Sequence, residues 1–270
     1  MKEIGLLSVD QRQIYANKIL NQKGYSSKII SNMDFNHLDI VVCGIPIIKM
    51  SEYLNCDFHS AFPIDTFLDL LKPGQLLFGG GITPAIRTKL NQRNISFTDY
   101  LEDPLFVWNN AYLTAEGLIG KIIIDTDFSL RNKKILLIGF GRCGMNIAKL
   151  LEAFHCELII YDHTPGNNAR ASSFSYKTIL SSDFNDFLPD CDLIINTVPK
   201  KVLSDFHYEI IKKNCFLYEI ASYPYGLDQG LATEHDLSFY TCPGIPGKYA
   251  SKSAGEIIAK TIISNLERNQ

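Results

Sequence analysis

Short apolar runs alternate with helically spaced apolar residues along most of this chain. Residues 135–138 and 158–161 form two such runs, and between them apolar residues recur at the spacing of an amphipathic helix. Strands that alternate with helices form parallel sheets, so this pattern predicts a doubly wound parallel sheet in the C-terminal half of the chain. Its later strands are predicted at residues 192–196, 215–220 and 239–241.

The N-terminal third repeats this alternation on a smaller scale. Asp10 follows the first apolar run and is of a type that caps helices. We expect a second, smaller α/β domain of flavodoxin-like or Rossmann-like type. Its strands are predicted at residues 4–9, 38–43 and 75–78, and its later helices at residues 62–71 and 83–91.

A long helical pattern at residues 104–125 separates the two halves. It contains Thr114 and Glu116. A helix at this position in the chain would form one wall of a cleft between the domains. A final helix is predicted from Ser253 to about Leu266, packing back at the domain junction. The predicted ranges are 1–103 for a substrate and catalytic domain, 104–128 for an interdomain helix, 129–250 for a nucleotide-binding domain and 251–270 for the C-terminal helix.

Residues 139–144 carry three glycines at the spacing G-x-G-x-x-G. Gly139 permits a tight turn after the strand, Gly141 lets the backbone approach a pyrophosphate, and Gly144 allows the helix to pack closely on the strand. Asp162 ends the next strand, where the ribose hydroxyls of a dinucleotide would lie. This context predicts a Rossmann-type NAD(P)-binding domain, although a domain of this fold that had lost its ligand would show the same pattern.

Composition and charge argue against several other classes of protein. Apolar residues make up 46% of the chain and charged residues 20%, as in ordinary globular proteins. The net charge of −3 argues against a nucleic-acid-binding surface. No apolar run approaches the roughly twenty residues that span a bilayer, so we expect a cytoplasmic protein without a membrane partner. The seven cysteines contain no C-x-x-C pair and the six histidines are scattered, so neither disulfides nor a metal site is predicted.

Small and polar residues follow the predicted strands of both domains. Gly79, Gly80 and Gly81 could form an ordinary turn, or their N–H groups could bind a substrate carboxylate. The second possibility arises because ligands of open α/β sheets bind at the carboxyl ends of strands. In the C-terminal domain the residues in this position are Asn196, Thr197, Val198 and Pro199, then Ala221 and Ser222, then Pro243 and Gly244.

Taken together, these motifs resemble those of the dipicolinate synthase family, in the first of that enzyme's two subunits. Its members carry G-x-G-R-x-G, then I-N-T-x-P, then A-S-x-P-x-G-x-D, then P-G-x-P-G-x-x-A-x-x-(T/S)-A-G. Further similarity at residues 10–13, 79–81 and 114–117 extends the resemblance over nearly the whole chain. The four motifs occur here, in this order, at residues 139–144, 195–199, 221–228 and 243–255.

The resemblance implies oxidation of 4-hydroxy-tetrahydrodipicolinate, or its dehydrated form, to dipicolinate in spore formation, with NAD or NADP as cofactor. It also implies a flavoprotein-like partner, the second subunit of dipicolinate synthase, and a homodimer is compatible with the two-domain plan. The charge of Asp162 favours NAD because it would repel a 2′-phosphate, although His163 and Arg170 leave NADP open. Two positions depart from the family: Tyr223 replaces a basic residue, and Tyr225 replaces a frequent glycine.

A dicarboxylate substrate needs cations and N–H donors. Lys248, in a turn rich in glycine and proline, is the candidate for carboxylate binding or proton transfer, and the alternative is an ordinary surface lysine. Glu116 is the candidate catalytic base, although it is also typical of a solvated helix face. Arg87 is a weaker candidate for carboxylate binding, since an arginine on a helix face is usually solvated. The predicted substrate-binding residues are Gly79, Gly80, Gly81, Thr114, Lys248, Ser251 and Ser253. The predicted cofactor-binding residues are Gly139, Phe140, Gly141, Arg142, Cys143, Gly144, Asp162, His163, Asn196, Thr197, Val198, Pro199, Ala221, Ser222, Pro243 and Gly244.

Two other functions stay open on the sequence. One is a different NAD(P)-dependent oxidoreductase with the same two-domain plan, of the hydroxyacid or shikimate dehydrogenase type. It would require a catalytic histidine or a Lys-Asp pair, and none of the six histidines lies in such a motif. The other is a non-catalytic regulatory protein that binds a nucleotide, which the changes at Tyr223 and Tyr225 favour.

Overall fold

The computed structural model describes residues 2–50, 52–59 and 61–268. Two compact units divide the chain, one made of residues 1–110 and 246–270 and the other of residues 111–245. The first unit therefore combines the N-terminal part of the chain with the C-terminal helix. Met1, Asn269 and Gln270, which the predicted domain ranges included, lie outside the described residues.

Strands and helices alternate through both units. The strands are β1 Glu3–Leu7, β2 Ser26–Ile30, β3 Ile40–Val42, β4 Ile48–Lys49, β5 Tyr53–Leu54, β6 Leu76–Gly79, β7 Ser96–Asp99, β8 Lys134–Ile138, β9 Glu157–Tyr161, β10 Lys177–Thr178, β11 Leu193–Asn196, β12 Phe216–Glu219 and β13 Ser238–Thr241. The α-helices are α1 Gln11–Gln22, α2 Ile64–Leu70, α3 Pro84–Gln92, α4 Pro104–Asp125, α5 Arg142–Leu151, α6 Pro165–Ser173, α7 Phe184–Phe187, α8 Asp205–Ile210, α9 Gln229–Glu234, α10 Ile245–Tyr249 and α11 Ser251–Arg268. Short 3₁₀ helices occur at Tyr100–Glu102, Glu152–Phe154, Ser181–Asp183 and Leu188–Asp190.

The sheet of the first unit has the strand order β2-β1-β3-β6-β7, with every neighbouring pair parallel. Counted along this sheet, the order is 2-1-3-4-5, which is the flavodoxin-like arrangement. Strands β4 and β5 form a separate antiparallel pair. The predicted small α/β domain is therefore confirmed.

The sheet of the second unit has the order β10-β9-β8-β11-β12-β13, again with parallel neighbours throughout. Numbered from β8, this is the order 3-2-1-4-5-6 of dinucleotide-binding Rossmann sheets. From β8 the chain adds β9 and β10 on one side and β11, β12 and β13 on the other, so the strand order reverses beside β8. In such sheets ligands bind at this reversal, beyond the carboxyl ends of the strands. The predicted Rossmann-type domain is confirmed.

Both faces of the second sheet are buried. Ile135 and Leu137 of β8 belong to one apolar cluster, and Leu136 and Ile138 belong to another. Because successive side chains of a strand point to opposite faces, one continuous apolar run supplies both layers of core. This explains why the strands of this chain appear in its sequence as uninterrupted apolar runs.

Helix α1 begins as predicted and packs against α11 within the first unit. The side chain of Asp10 accepts the N–H of Arg12, and the side chain of Gln13 accepts the N–H of Asp10, which completes a capping box. The two helices approach closely at Gly255, where a Cβ would lie 2.7 Å from the carbonyl oxygen of Arg12. The close approach of the two helices therefore requires glycine at this position.

Helix α11 begins two residues before Ser253, where the helical pattern predicted its start, and at the first residue of the predicted range 251–270. Ser251 is its first residue and Ser253 its third, so Ser253 lies inside the first turn of the helix and does not cap it. The physical reason is that the preceding turn continues into the helix, since the N–H of Ala254 donates to the carbonyl of Ala250. No helix within the described residues has both the length and the apolar character that crossing a bilayer requires.

Candidate functional site

The turn between β8 and α5 has no room for side chains at two of its glycines. Gly139 has a φ of +98°, and a Cβ on it would lie 2.2 Å from Thr197 Oγ1. A Cβ on Gly144 would lie 2.0 Å from the carbonyl oxygen of Gly139. Both distances are far below van der Waals contact, so the turn requires glycine at these positions. The second distance is the close helix-to-strand packing that the motif predicts.

The N-terminus of α5 is open. Gly141 is its N-cap residue and is exposed, and none of the described side chains caps the helix. A Cβ on Gly141 would meet nothing within 4 Å. The first N–H groups of a helix lack intrahelical partners, and together with the helix dipole they bind anions. The open space and the uncapped N–H groups fit the pyrophosphate of a dinucleotide.

Asp162 supports the glycine turn from the end of β9. Its Oδ2 accepts Phe140 N–H at 2.7 Å and Asn167 Nδ2 at 3.0 Å, and its Oδ1 accepts Thr164 N–H at 2.8 Å. The residue is only 3% exposed. Burial alone would raise the pKa of this carboxyl, but the hydrogen bonds outweigh burial and hold the pKa below its ordinary value of 3.8. Asp162 therefore stays ionised beside the turn, with the Nδ1 of the exposed His163 3.5 Å from its Oδ1.

A buried amide and a buried carboxylate join the ends of β11 and β12. Asn196 Nδ2 lies 2.9 Å from Glu219 Oε1 and 2.8 Å from Oε2. The Asn196 amide also donates to the carbonyl of Val198 at 2.9 Å and accepts the Val198 N–H at 3.1 Å. Both polar atoms of the Asn196 side chain therefore have protein partners. Asn196 would therefore affect a bound cofactor indirectly, through the turn at residues 197–199, which its hydrogen bonds to Val198 shape.

Glu219 also organises the loop that follows β12. Its carboxylate accepts the N–H groups of Ala221 at 2.8 Å, Gly226 at 2.9 Å and Leu227 at 2.7 Å. The loop consequently folds back over the end of its own strand. No sequence motif indicated a role for Glu219. The pattern that could have found it is an acid paired in register with Asn196 at the end of the adjacent parallel strand.

The remaining predicted cofactor residues lie along the same edge of the sheet. Strands β8, β11, β12 and β13 are parallel neighbours, so the residues after each of them lie at one carboxyl edge. Thr197 and Ala221 are half-buried. Burial raises the pKa of the Cys143 thiol, against a smaller effect of Arg142, so this thiol stays protonated at neutral pH. The exposed members of the set are Arg142, Pro199, Ser222, Pro243 and Gly244.

In the first unit, the glycine turn after β6 gives its N–H groups to protein acceptors. Gly80 N–H donates to the carbonyl of Gly44 at 3.3 Å, and Gly81 N–H donates to Asp99 Oδ1 at 3.0 Å. Arg87 donates to Asp99 Oδ2 at 3.0 Å and pairs with a second carboxylate at 2.9 Å. A substrate carboxylate would have to displace these contacts. The turn and Arg87 therefore hold each other in place in this structure, because both donate hydrogen bonds to Asp99.

The other predicted residues lie on three helices. Thr114 is half-buried and Glu116 is exposed, both on α4. Lys248 is exposed on α10, and no ion-pair partner for it lies within the described part of the chain. Ser251 is half-buried at the first position of α11. Across the described residues, no group of three or more His, Cys, Asp or Glu side chains is arranged to hold a metal ion.

Comparison with known proteins adds to this geometry. Residues 123–216 match the NAD binding domain of D-isomer specific 2-hydroxyacid dehydrogenases. A stretch of 161 residues is 27% identical to the first subunit of dipicolinate synthase from Bacillus subtilis (strain 168). This chain is therefore similar to that dipicolinate synthase subunit. The aligned stretch covers 60% of this chain and 54% of the relative's length.

Solved structures show the same fold over nearly the full length. The same dipicolinate synthase subunit from Bacillus halodurans superposes with a TM-score of 0.83 at 22% identity, covering 98% of this chain and 97% of the other. The corresponding chain from Bacillus subtilis gives a TM-score of 0.84 at 20% identity, covering 99% and 96%. D-lactate dehydrogenase from Escherichia coli gives 0.74 at 15% identity, covering 99% and 98%. At these identities the structures establish the fold alone.

The resemblance to the first subunit of dipicolinate synthase is thus confirmed, as is the NAD(P) cofactor at the level of the domain family. The match of residues 123–216 to this NAD binding domain supports the predicted class, an NAD(P)-dependent oxidoreductase. The sequence match spans about half the length of its curated relative.

Proposed function

We propose that this chain oxidises 4-hydroxy-tetrahydrodipicolinate, or its dehydrated form, to dipicolinate with NAD(P), and does so in spore formation. The observation that carries the proposal is the sequence match to the first subunit of dipicolinate synthase over 161 residues. The open N-terminus of α5, which fits a dinucleotide pyrophosphate, supports it independently.

The chemistry is consistent with a nicotinamide cofactor. Loss of water from the hydroxylated ring gives a dihydropyridine that carries two carboxylates. Removal of one hydride, which passes to NAD(P), and of one proton then gives the aromatic pyridine ring. Because aromatisation makes the product side strongly favourable, the protein has mainly to align the ring with the cofactor and to accept a proton.

The second unit supplies the residues that would hold the cofactor. The turn that contains Gly141 would bind the pyrophosphate, and Asp162 with His163 would lie toward the adenosine ribose. The strand ends that Asn196 and Glu219 shape would contact the rest of the dinucleotide. When bound, the cofactor supplies the hydride acceptor, and these residues fix its position.

For the substrate, we keep the predicted roles of two exposed residues. Lys248 on α10 would bind a carboxylate or transfer a proton, since its ammonium group has no ion-pair partner within the described residues. Glu116 on α4 is the candidate base that would accept the proton. Thr114, Ser251 and Ser253 would add hydrogen-bond donors.

NAD is the proposed cofactor in preference to NADP. Asp162 is ionised and buried beside the glycine turn, so its charge would oppose a 2′-phosphate. Changing Asp162 to Ser removes this charge and should lower the ratio of the NADP dissociation constant to the NAD dissociation constant. A ratio equal to that of the wild type, measured by fluorescence titration, would remove Asp162 from cofactor selection.

A spectrophotometric assay tests the proposed reaction. 4-Hydroxy-tetrahydrodipicolinate is generated in situ and offered to the protein with NAD or with NADP, and with or without a flavoprotein-like second subunit. We expect the absorbance of dipicolinate to rise with at least one cofactor. Measurable cofactor binding without dipicolinate in any combination would reject the proposal.

Oxidation of a 2-hydroxy acid is the second candidate function. The match of residues 123–216 to the NAD binding domain of 2-hydroxyacid dehydrogenases favours it. D-lactate and related 2-hydroxy acids, offered in the same assay, distinguish the two functions. Reduced cofactor formed from a 2-hydroxy acid, and not from the cyclic dicarboxylate, would support the second candidate.

A further inference from the structure

A buried arginine lies in the first turn of α1. The side chain of Arg12 is 8% exposed. Its Nε lies 3.0 Å from each oxygen of the Asp10 carboxylate, and its Nη2 donates to Asp10 Oδ2 at 2.7 Å. The capping box fixes Asp10 in turn, because the side chain of Gln13 accepts the Asp10 N–H at 3.1 Å. The guanidinium is therefore held in one orientation.

One nitrogen of this guanidinium is left over. Nη2 also donates to the carbonyl of Ile45 at 3.3 Å, whereas Nη1 has no partner within the described residues. Among the described residues, the fully buried side-chain atoms without a hydrogen-bond partner are Gln13 Nε2 and Tyr100 Oη. Arg12 Nη1 is not one of them, so it is accessible at the surface. Arg12 thus presents two N–H donors outward from an otherwise buried, fixed side chain.

The surroundings of Arg12 are those of a ligand site. Asp10 follows β1 and Ile45 follows β3, so the guanidinium lies at the carboxyl edge of the first sheet, where open α/β sheets bind ligands. Gly247 of α10 covers it, since a Cβ on this glycine would lie 3.0 Å from Arg12 Nε. The next residue along the chain is Lys248, which brings a second cation to the same turn.

The charge of Asp10 is compatible with anion binding here. Burial would raise the pKa of Asp10, but the hydrogen bonds that it accepts from Arg12 and the charge of Arg12 lower the pKa below its ordinary value, so this carboxyl stays ionised. The pair is neutral as a whole, so the attraction for an anion comes from the outward N–H groups and from Lys248. A planar guanidinium, with its N–H donors in a fixed arrangement, matches the geometry of a carboxylate.

We propose that Arg12 binds one carboxylate of the dicarboxylate substrate through Nη1, with Asp10 as the residue that positions the guanidinium. This inference rests on the proposed function, which supplies the dicarboxylate. It moves carboxylate recognition in the first unit from the glycine turn after β6, whose N–H groups have protein acceptors, to the Asp10–Arg12 turn.

Calorimetric titration of the full chain with two ligands tests the inference. Dipicolinate carries two carboxylates, and pyridine-2-carboxylate carries one. We expect the wild type to bind dipicolinate more tightly. In Arg12→Met the dissociation constant of pyridine-2-carboxylate divided by that of dipicolinate should fall toward one. The expected decrease is about tenfold to a hundredfold, which corresponds to the loss of one charge-assisted hydrogen bond. Arg93→Met, which removes an arginine paired with Asp69 in the same unit, is the matched control and should keep the wild-type ratio.

The ratio separates binding from folding. A purely structural role for Arg12 would weaken both ligands alike and leave their ratio unchanged, which would overturn the inference while the proposed function stands. If Arg12→Met does not fold, Arg12→Lys keeps a cation beside Asp10 without the planar guanidinium and should lower the ratio too; an unchanged ratio there would overturn the inference. A wild type that binds neither ligand, or both equally, would overturn the inference together with the proposed dicarboxylate substrate.

Discussion

Glu219 and Asn196 form a buried carboxylate–amide pair, with Asn196 Nδ2 at 2.9 and 2.8 Å from the two oxygens of Glu219. Neither residue is more than 1% exposed. The pair joins the ends of two neighbouring parallel strands, and each member orders the loop after its own strand. The carboxyl edge of the second sheet therefore has a fixed shape before any cofactor binds.

Changing Glu219 to Gln should destabilise the second unit. The new amide would turn an N–H₂ group toward donors that now face a carboxylate, and one unsatisfied buried group costs about 1–3 kcal/mol. We expect the free energy of unfolding in urea to fall by that amount, and NAD(P) affinity to fall with it. Glu234→Gln, at an exposed position on α9, is the control. Equal stability of the two variants would show that Glu219 does not order its loop.

Gly141 offers a way to separate cofactor binding from folding. A Cβ at this position meets nothing within 4 Å, so Gly141→Ala should leave thermal stability unchanged or slightly raised. If a pyrophosphate approaches the backbone there, affinity for NAD(P) should fall about tenfold or more. Gly166→Ala, at another open position in the same unit, should keep wild-type affinity. Wild-type affinity in Gly141→Ala would place the cofactor elsewhere.

Asp162 predicts a pH dependence of stability. Its pKa is lowered in the folded chain, so its contribution is fully present above the ordinary value of 3.8 and is lost as the pH falls through the lower folded pKa. The stability difference between the wild type and Asp162→Asn should therefore be constant from about pH 7 to about pH 5 and shrink below about pH 4. Denaturation in urea at each pH measures it, with Asp127→Asn as an exposed control. A difference that stays constant down to about pH 3 would contradict the assignment.

Lys248 should affect catalysis without affecting the fold. It is exposed, so Lys248→Ala should unfold at the wild-type temperature. If the ammonium group binds a substrate carboxylate, KM should rise about tenfold; if it transfers a proton, kcat should fall instead. Lys252→Ala, an exposed lysine on the next helix, should behave as the wild type. Unchanged steady-state kinetics in Lys248→Ala would make it an ordinary surface lysine.

The sequence predicted the parts of the fold that local chemistry determines. The apolar run of β8 and the glycines after it define the turn, because Gly139 and Gly144 leave no space for a Cβ. Asp10 begins α1 through a capping box that spans four residues. The pattern missed strand β2, Ser26–Ile30, because it lies at the edge of its sheet and has a half-exposed, polar start.

The contacts that shape the candidate sites could not be predicted in the same way. Glu219 accepts N–H groups from Gly226 and Leu227, and the N–H of Gly81 donates to Asp99, eighteen residues away. Such contacts depend on how a loop folds back, which no local pattern encodes. For the same reason no local pattern indicates which guanidinium nitrogen of Arg12 lacks a partner within the described residues.

The stoichiometry of the proposed reaction tests the central claim most directly. 4-Hydroxy-tetrahydrodipicolinate is supplied without oxygen, which removes oxidation by air, and dipicolinate and reduced cofactor are recorded in the same sample. We predict one molecule of NADH or NADPH for each molecule of dipicolinate, because aromatisation releases one hydride to the cofactor. Dipicolinate formed without reduced cofactor, or bound cofactor without dipicolinate, would contradict the account.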